Sequence, residues 1–187
     1  MEYIDVYDSK RNFTGKVTDR YSISPGEYRL IAHVCVFDEE WRMLIQKRSS
    51  TKRAMPGLWD ISAGGQVDAG EPSHKAASRE LFEELGLSRN FTEEDRVCTV
   101  TFLYGFDDYF ITGSVKGDSL KLQGSEVSEA SWATMDEIFS MIDEGIFVRY
   151  KRSFIRSLFD CYYRFTPMKD SDWDDIFDRF DRYTEKA

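Results

Sequence analysis

Hydrophobic positions change period several times along the chain, and each change predicts an element. Tyr3-Ile4-Asp5-Val6-Tyr7 alternates and reads as a strand. Asp8 to Asn12 is polar and reads as a turn, and Phe13 to Val17 returns as the second arm of a hairpin. Tyr28 to Phe37 is a long β-forming run. Asp38-Glu39-Glu40 turns it, and Met43-Leu44-Ile45-Gln46 continues as its partner. Leu58 to Ser62 leads into a glycine-punctuated loop, and Val97–Tyr104 and Tyr109–Val115 read as further strands.

Helical spacing appears in four places. Ala77, Leu81 and Leu85 make an apolar stripe in a helix entered near Ser73, a candidate cap, and stopped by Gly86. Met135 to Asp143 is a second helix, with Thr134 as its cap. Phe154, Leu158, Cys161 and Tyr162, then Trp173, Ile176, Phe177 and Phe180, predict two amphipathic helices joined at Thr166-Pro167-Met168. Mixed strands and helices imply an α/β (α+β) layered fold. We divide the chain into an N-terminal hairpin extension (1–24), a core (25–145) and a C-terminal helical extension (146–187). The last is expected to pack on the core, with a dimer surface or a lid as the functional alternative.

Composition narrows the class. The 187 residues are 41% hydrophobic and 15% aromatic, which supports a sizeable core. A net charge of −9 and a pI near 4.8 oppose affinity for long nucleic acid or an anionic membrane. No apolar run is long enough to span a bilayer, and Met1-Glu2-Tyr3 does not open a signal peptide. Cys35, Cys98 and Cys161 are scattered and odd in number, so neither a disulfide framework nor structural zinc is expected. These features point to the cytoplasm.

Within the first predicted helix, Glu80, Glu83 and Glu84 stand at i, i+3 and i+4 and share one face. Like charges so close repel, and a divalent cation turns that repulsion into ligation. Clustered hard oxygens suit Mg²⁺ or Mn²⁺. Arg42, Lys47, Arg48, Lys52 and Arg53 form a basic group in an otherwise acidic chain, as a polyphosphate beside carboxylates requires. Of these, Lys47 and Arg48 end the second core strand, just before the loop to Pro56-Gly57-Leu58-Trp59. Lys52 and Arg53 read as solvated loop residues. Trp59 is expected in the core rather than under a base, His33 as a core residue and His74 as solvent-facing.

The stretch from Gly65 to Leu87 resembles the signature of the Nudix hydrolases. That signature is a Gly, five residues, a Glu, seven residues, then Arg-Glu-aliphatic-any-Glu-Glu-any-Gly-aliphatic. Gly65, Glu71, Arg79, Glu80, Leu81, Glu83, Glu84, Gly86 and Leu87 match every fixed place. The resemblance implies a Nudix fold, with a mixed sheet sandwiched between helices, and hydrolysis of a small diphosphate substrate. It assigns the metal to Glu80, Glu83 and Glu84, joined by the Gly64 carbonyl. Arg79 then orients its neighbouring glutamates and Glu71 is structural. In that family an Arg at the end of the second core strand meets substrate phosphate, so the resemblance gives this role to Arg48, with Lys47 beside it as a second substrate contact. The general base is Glu83, or comes from the later acidic stretch, where Glu126 and Glu129 are candidates for a base or an extra metal ligand.

The region from residue 3 to 87 is also similar, less specifically, to the isopentenyl-diphosphate isomerase branch of that superfamily. Those enzymes carry Cys-Gly-His after the Trp strand, where this chain has Gly64-Gly65-Gln66. The acid/base Cys and the His ligand are thus missing, and hydrolysis is preferred to isomerisation. A non-catalytic nucleotide-binding domain is the third reading; such domains lose the carboxylates that this chain retains.

Overall fold

The computed structural model describes residues 2–114 and 118–165. Among them, nine strands and three helices follow in order. They are β1 (Tyr3–Tyr7), β2 (Phe13–Asp19), β3 (Arg29–Phe37), β4 (Met43–Arg48), β5 (Trp59–Asp60), β6 (Ala63–Gln66), α1 (Ser73–Leu85), β7 (Arg96–Phe102), β8 (Gly105–Gly113), β9 (Val127–Ala133), α2 (Met135–Asp143) and α3 (Arg152–Phe165). The expected helix around Trp173 to Phe180 lies outside the described residues.

The alternating run of β3 dictates the layering. Leu30, Ala32, Val34 and Val36 face one way and pack with Ala76, Ala77, Leu81 and Leu85 of α1. Cys35 and Phe37 face the other way, onto Ile138 and Phe139 of α2 and Ile155, Leu158 and Phe159 of α3. β4 obeys the same parity, with Leu44 in the first cluster and Met43 and Ile45 in the second. The result is a mixed sheet between helices.

Strand pairing forks beside β3. One edge of β3 runs parallel to β8 from Arg29↔Gly105 to Phe37↔Gly113, and β7 closes that side antiparallel to β8. On its other edge β3 meets β4 only at Phe37↔Met43, while Ile31 to Val34 pair with β6. β4 turns instead to β9 and β5. Ser62 bridges the divergence, accepting from the Val36 amide at 2.8 Å and donating to the Leu44 carbonyl at 2.5 Å. A buried hydroxyl with both bonds made is a stable way to end a ladder early.

Two local expectations change. Ser73 does not cap α1; Pro72 holds that position without a side-chain bond, and Ser73 is the buried first residue of the helix. Its hydroxyl bonds Asp108 instead. The chain also reverses earlier than expected, between Phe102 and Gly105, so Asp107 and Asp108 lie within β8. Aspartate disfavours strands, but tertiary partners satisfy Asp108. Arg11 Nη1 donates to it at 2.6 Å, Arg11 Nη2 completes a bidentate pair, Thr99 donates at 2.6 Å, and Arg96 lies at 3.4 Å.

Arg11 sits between β1 and β2, which pair antiparallel and bury Ile4 and Val6. Asp108 therefore ties the hairpin to both β7 and the start of α1. Burial opposes ionisation of Asp108, but the Arg11, Ser73 and Thr99 bonds outweigh it and hold the pKa below the usual carboxylate value. An acid with a depressed pKa stabilises the fold above its unfolded pKa of about 3.9, and that contribution is lost as pH falls through the folded value. We expect Asp108→Asn to cost about 2 kcal/mol at pH 7. The deficit should shrink below about pH 4, read as urea midpoints at both pH values; an equal deficit at both would contradict this account.

Candidate active site

Docking of α1 grades the burial of its acids. Leu81 and Leu85 are fully buried, and Glu84 stands beside them on the helix surface, so it is carried inward and is only 4% exposed. The Glu80 side chain is 13% exposed and that of Glu83 is 48% exposed. Gly86 ends the helix in the left-handed region at φ 72°, a conformation that glycine adopts freely.

The fork between β3 and β4 supplies the partners of Glu84. The Gly64 amide of β6 donates to Glu84 Oε2 at 3.0 Å, and Gln46 Nε2 of β4 donates to the same oxygen at 2.9 Å. Burial pushes the Glu84 pKa up to about 7; the Gly64 bond pulls it down and the Glu80 charge adds to the rise. Burial likewise raises Glu80. Gly65 makes room for this neighbour, since a Cβ there would lie 2.2 Å from the Glu80 carboxylate. Arg79 organises the rest. It donates to Glu71 at 2.9 and 3.2 Å, to Glu80 at 2.7 Å, to Glu83 at 3.3 Å and to the Gln66 carbonyl at 3.0 Å. Burial opposes its charge, yet the Glu71 and Glu80 bonds lift its pKa above the ordinary arginine value.

Glu80, Glu83, Glu84 and Gly64 line one cavity of about 320 Å³. Glu126 also lines it, immediately before β9. Lys52 reaches in from the loop after β4 and pairs with Glu126. Arg20, from the end of the hairpin, lines the same cavity and pairs with Glu2. Lys52, expected as a solvated residue, is thus a cavity wall; burial and the Arg48 charge lower its pKa.

Other expected contacts lie elsewhere. Lys47 faces the opposite side of the sheet, 3.6 Å from Glu129 and over the Trp59 ring. Glu129 and Trp59 line a separate hollow against α2. The reason is strand parity: Leu44 and Gln46 face α1, so Ile45, Lys47 and its cross-strand partner Glu129 face α2. Arg48 shares the parity of Gln46, but the register of β4 with β9 slips between Lys47 and Arg48. Its guanidinium is held by the Ala54 carbonyl at 3.1 and 3.2 Å and by Asp60 at 3.3 Å. His33 stacks on Tyr109 and lies 3.3 Å from Asp107. His74 is mostly covered rather than solvent-facing, 3.6 Å from Glu93. Sequence reasoning missed Gln46, which alternation with Leu44 marks as inward-facing. Lys52 and Arg20 had no such signal.

Among the described residues no three acidic, His or Cys side chains already close on a single point. The donor set nevertheless fits a hard divalent cation. Glu84 and Glu80 are desolvated oxygen donors in one cavity with Glu83, and burial raises the pKa values of both. Both donors to Glu84 fall on Oε2, so neither engages Oε1. The buried Gln46 Oε1 also has no hydrogen-bond partner among the described residues.

Comparison with known proteins agrees with this architecture. The NUDIX domain family matches residues 27–157. An uncharacterized Nudix hydrolase of Listeria monocytogenes, lmo0368, is 40% identical over 162 residues, covering 86% of this chain and 95% of the relative. The crystal structure of DR0079 from Deinococcus radiodurans superposes with a TM-score of 0.69 at 19% identity, over 84% of this chain and 99% of that one. The NUDIX domain of Shewanella oneidensis NrtR, solved in complex with ADP ribose, gives 0.55 at 16% identity, over 80% and 94%. With a graded carboxylate cluster on α1, a forked sheet supplying its donors and a matching family, the chain belongs to the Nudix family and is a hydrolase of pyrophosphate bonds.

Proposed function

We propose that the protein is a divalent-metal-dependent pyrophosphohydrolase acting on a nucleoside diphosphate linked to a further group, or on a related small organic diphosphate. The observation that carries this reading is Glu84: a carboxylate nine-tenths or more buried, opening on a cavity that holds Glu80 and Glu83. A desolvated carboxylate cluster of this kind is stable as anions only beside a cation. Glu80, Glu83 and Glu84 would hold Mg²⁺ or Mn²⁺, which supplies Lewis-acid stabilisation of phosphoryl charge and lowers the pKa of bound water.

The chain's own residues divide the remaining work. Gly64 and Gln46 fix Glu84 by one oxygen. Arg79 holds Glu80 and Glu83 in place and is too fully bonded to turn to substrate. Among the described residues Lys52 and Arg20 each keep a single carboxylate partner, so they are the cations best placed to exchange it for phosphate; they take this role in place of Lys47 and Arg48. Glu83 and Glu126, both in the cavity, are the candidate bases for the attacking water, and Glu129 is set aside. Positioning and charge compensation of this sort account for most of the acceleration in phosphoryl transfer. The bound ADP ribose of the Shewanella NrtR domain, a distant relative in fold, is consistent with a nucleotide-derived ligand. The described cavity lining contains neither Cys nor His, which favours hydrolysis over the double-bond chemistry of the isomerase branch.

Three outcomes test this. Phosphate release from a panel of nucleoside diphosphate derivatives and isopentenyl diphosphate, with Mg²⁺ and a coupled phosphatase, should fall by about 10²–10³-fold in Glu84→Gln. Unimpaired turnover by that folded variant would remove the site assignment. Gly65→Ala should displace the Glu80 carboxylate, weaken Mg²⁺ binding by calorimetry at least about tenfold and leave the far-ultraviolet spectrum intact. The third outcome concerns pH in the metal-free state. Glu84 has a raised folded pKa, so its burial is without penalty below the unfolded value of about 4.3 and destabilising as pH rises through about 7. The difference is on the order of 3 kcal/mol. With chelator present, wild-type urea midpoints should therefore fall across this window and those of Glu84→Gln should fall less, since Glu80 still titrates in the same direction. Added Mg²⁺ at pH 8 should restore the wild type alone.

A further inference from the structure

The glycine that holds Glu84 is itself held from the other face of the sheet. Gly64 and Gly65 are neighbours in β6, so one leaves a gap on each face of the strand. The Glu80 carboxylate fills the space at Gly65. The imidazole of His33 fills the space at Gly64, where a Cβ would lie 2.6 Å from its Nδ1. His33 stands directly opposite Gly64 across one edge of β3 and directly opposite Tyr109 across the other. Its ring stacks on the buried Tyr109 ring at 4.8 Å, with 16° between the planes. Its far nitrogen, Nε2, lies 3.3 Å from Asp107 Oδ1. Tyr109, His33 and Gly64 thus form one row across three strands, and Asp107 tethers the middle ring.

Strand pairing explains why this contact matters. The Val67 amide donates to the Leu30 carbonyl at 3.1 Å, which sets the alternation of the ladder between β3 and β6. Ala32 and Gly65 form the next hydrogen-bonded pair, and His33 and Gly64 fall between ladder bonds. Gly64 therefore gives its amide to Glu84 rather than to β3. With neither a side chain nor a ladder bond of its own, its place in the sheet depends on packing from β3, and an interior glycine weakens a strand. A ring from the neighbouring strand restores the lateral contact that glycine lacks. Any shift of this peptide moves the donor that fixes Glu84 at the cavity.

We infer that His33 is a positioning residue for the metal centre: wedged between Tyr109 and Gly64 and tethered by Asp107, its ring fixes the Gly64 peptide that holds Glu84. This rests on the metal-dependent pyrophosphohydrolase reading. It gives a role to a histidine expected only as a core residue, and it makes β8 a support for the carboxylates of α1 from the opposite face of the sheet.

The test is calorimetric binding of Mg²⁺ alone to the full chain and to His33→Ala, His33→Phe and Leu158→Ala, with the Gly64 amide followed by NMR. Leu158 is a fully buried member of the cluster that contains Tyr109, so it controls for lost stability. His33→Ala should weaken Mg²⁺ binding about tenfold and shift the Gly64 amide signal. His33→Phe keeps a ring over Gly64 and should recover most of the affinity, and Leu158→Ala should stay near wild type in both readouts. Asp107→Asn should weaken Mg²⁺ binding at least about threefold more in the wild type than in His33→Phe, where the tether has no nitrogen to hold. Unchanged Mg²⁺ affinity in His33→Ala, or equal weakening by His33→Ala and Leu158→Ala, overturns the inference. Should His33→Ala fail to fold, the Asp107→Asn comparison decides, and equal effects in the two backgrounds overturn it. A wild type that binds no Mg²⁺ overturns it together with the metal-dependent reading. If Mg²⁺ binding follows His33 while no diphosphate is cleaved, the hydrolase reading falls and the positioning role stands. If diphosphates are cleaved while Mg²⁺ affinity ignores His33, the positioning role falls and the hydrolase reading stands.

Discussion

The desolvation of one carboxylate organises the active face. Glu84 enters the protein because α1 docks through Leu81 and Leu85, and a residue at that angular position cannot stay in water. Its placement then constrains the sheet. A donor amide must come from β6 and a side-chain amide from β4, and both reach the same oxygen only because β3 and β4 part after a single paired position. Ser62 satisfies the backbone groups that the parting leaves. Gly65 has no side chain where Glu80 must sit. The unfavourable burial of this acid is thus a consequence of the helix contact and a demand that the fork and the glycine meet.

Charge compensation explains the remainder of the site. Arg79 is a fixed counter-ion, bonded on several sides and unavailable to a ligand. Lys52 and Arg20 come from segments distant in sequence and each holds one partly exposed carboxylate. A site that must admit an anion needs cations of the second kind, because breaking a multiply bonded pair costs more than exchanging a single partly solvated one. The hairpin supplies Arg20, and the hairpin in turn depends on the buried Asp108 that holds Arg11. A network on one side of β8 thereby influences the rim of a cavity beside β4 and α1.

Much of this was legible in the amino-acid sequence. The strand runs at Tyr28–Phe37 and Met43–Gln46, the helix stopped by Gly86 and the Thr134 cap all emerge from local spacing, and each is found with its boundaries within a few residues. Failures had tertiary causes. The strand expected to reach Tyr104 ends at Phe102 and the next begins at Gly105 rather than Tyr109, because two aspartates in β8 look unfavourable until Arg11 is brought against one of them. Lys47 and Arg48 drew attention as adjacent cations. Strand parity turns the first away, and a register slip with Asp60 and Ala54 captures the second.

Sequence alone determined the family, the layered fold and the acidic helix face, because those follow from periodicities and spacings that act over a few residues. It could not determine which cations attend the carboxylates. Lys52 and Arg20 are separated by 31 intervening positions and come together only when the hairpin docks and the loop after β4 folds over the cavity. Nor could it rank the three glutamates, whose shared helix face conceals unequal burial. That ranking depends on which face of α1 meets the sheet and how deeply, a result of packing rather than of any local pattern.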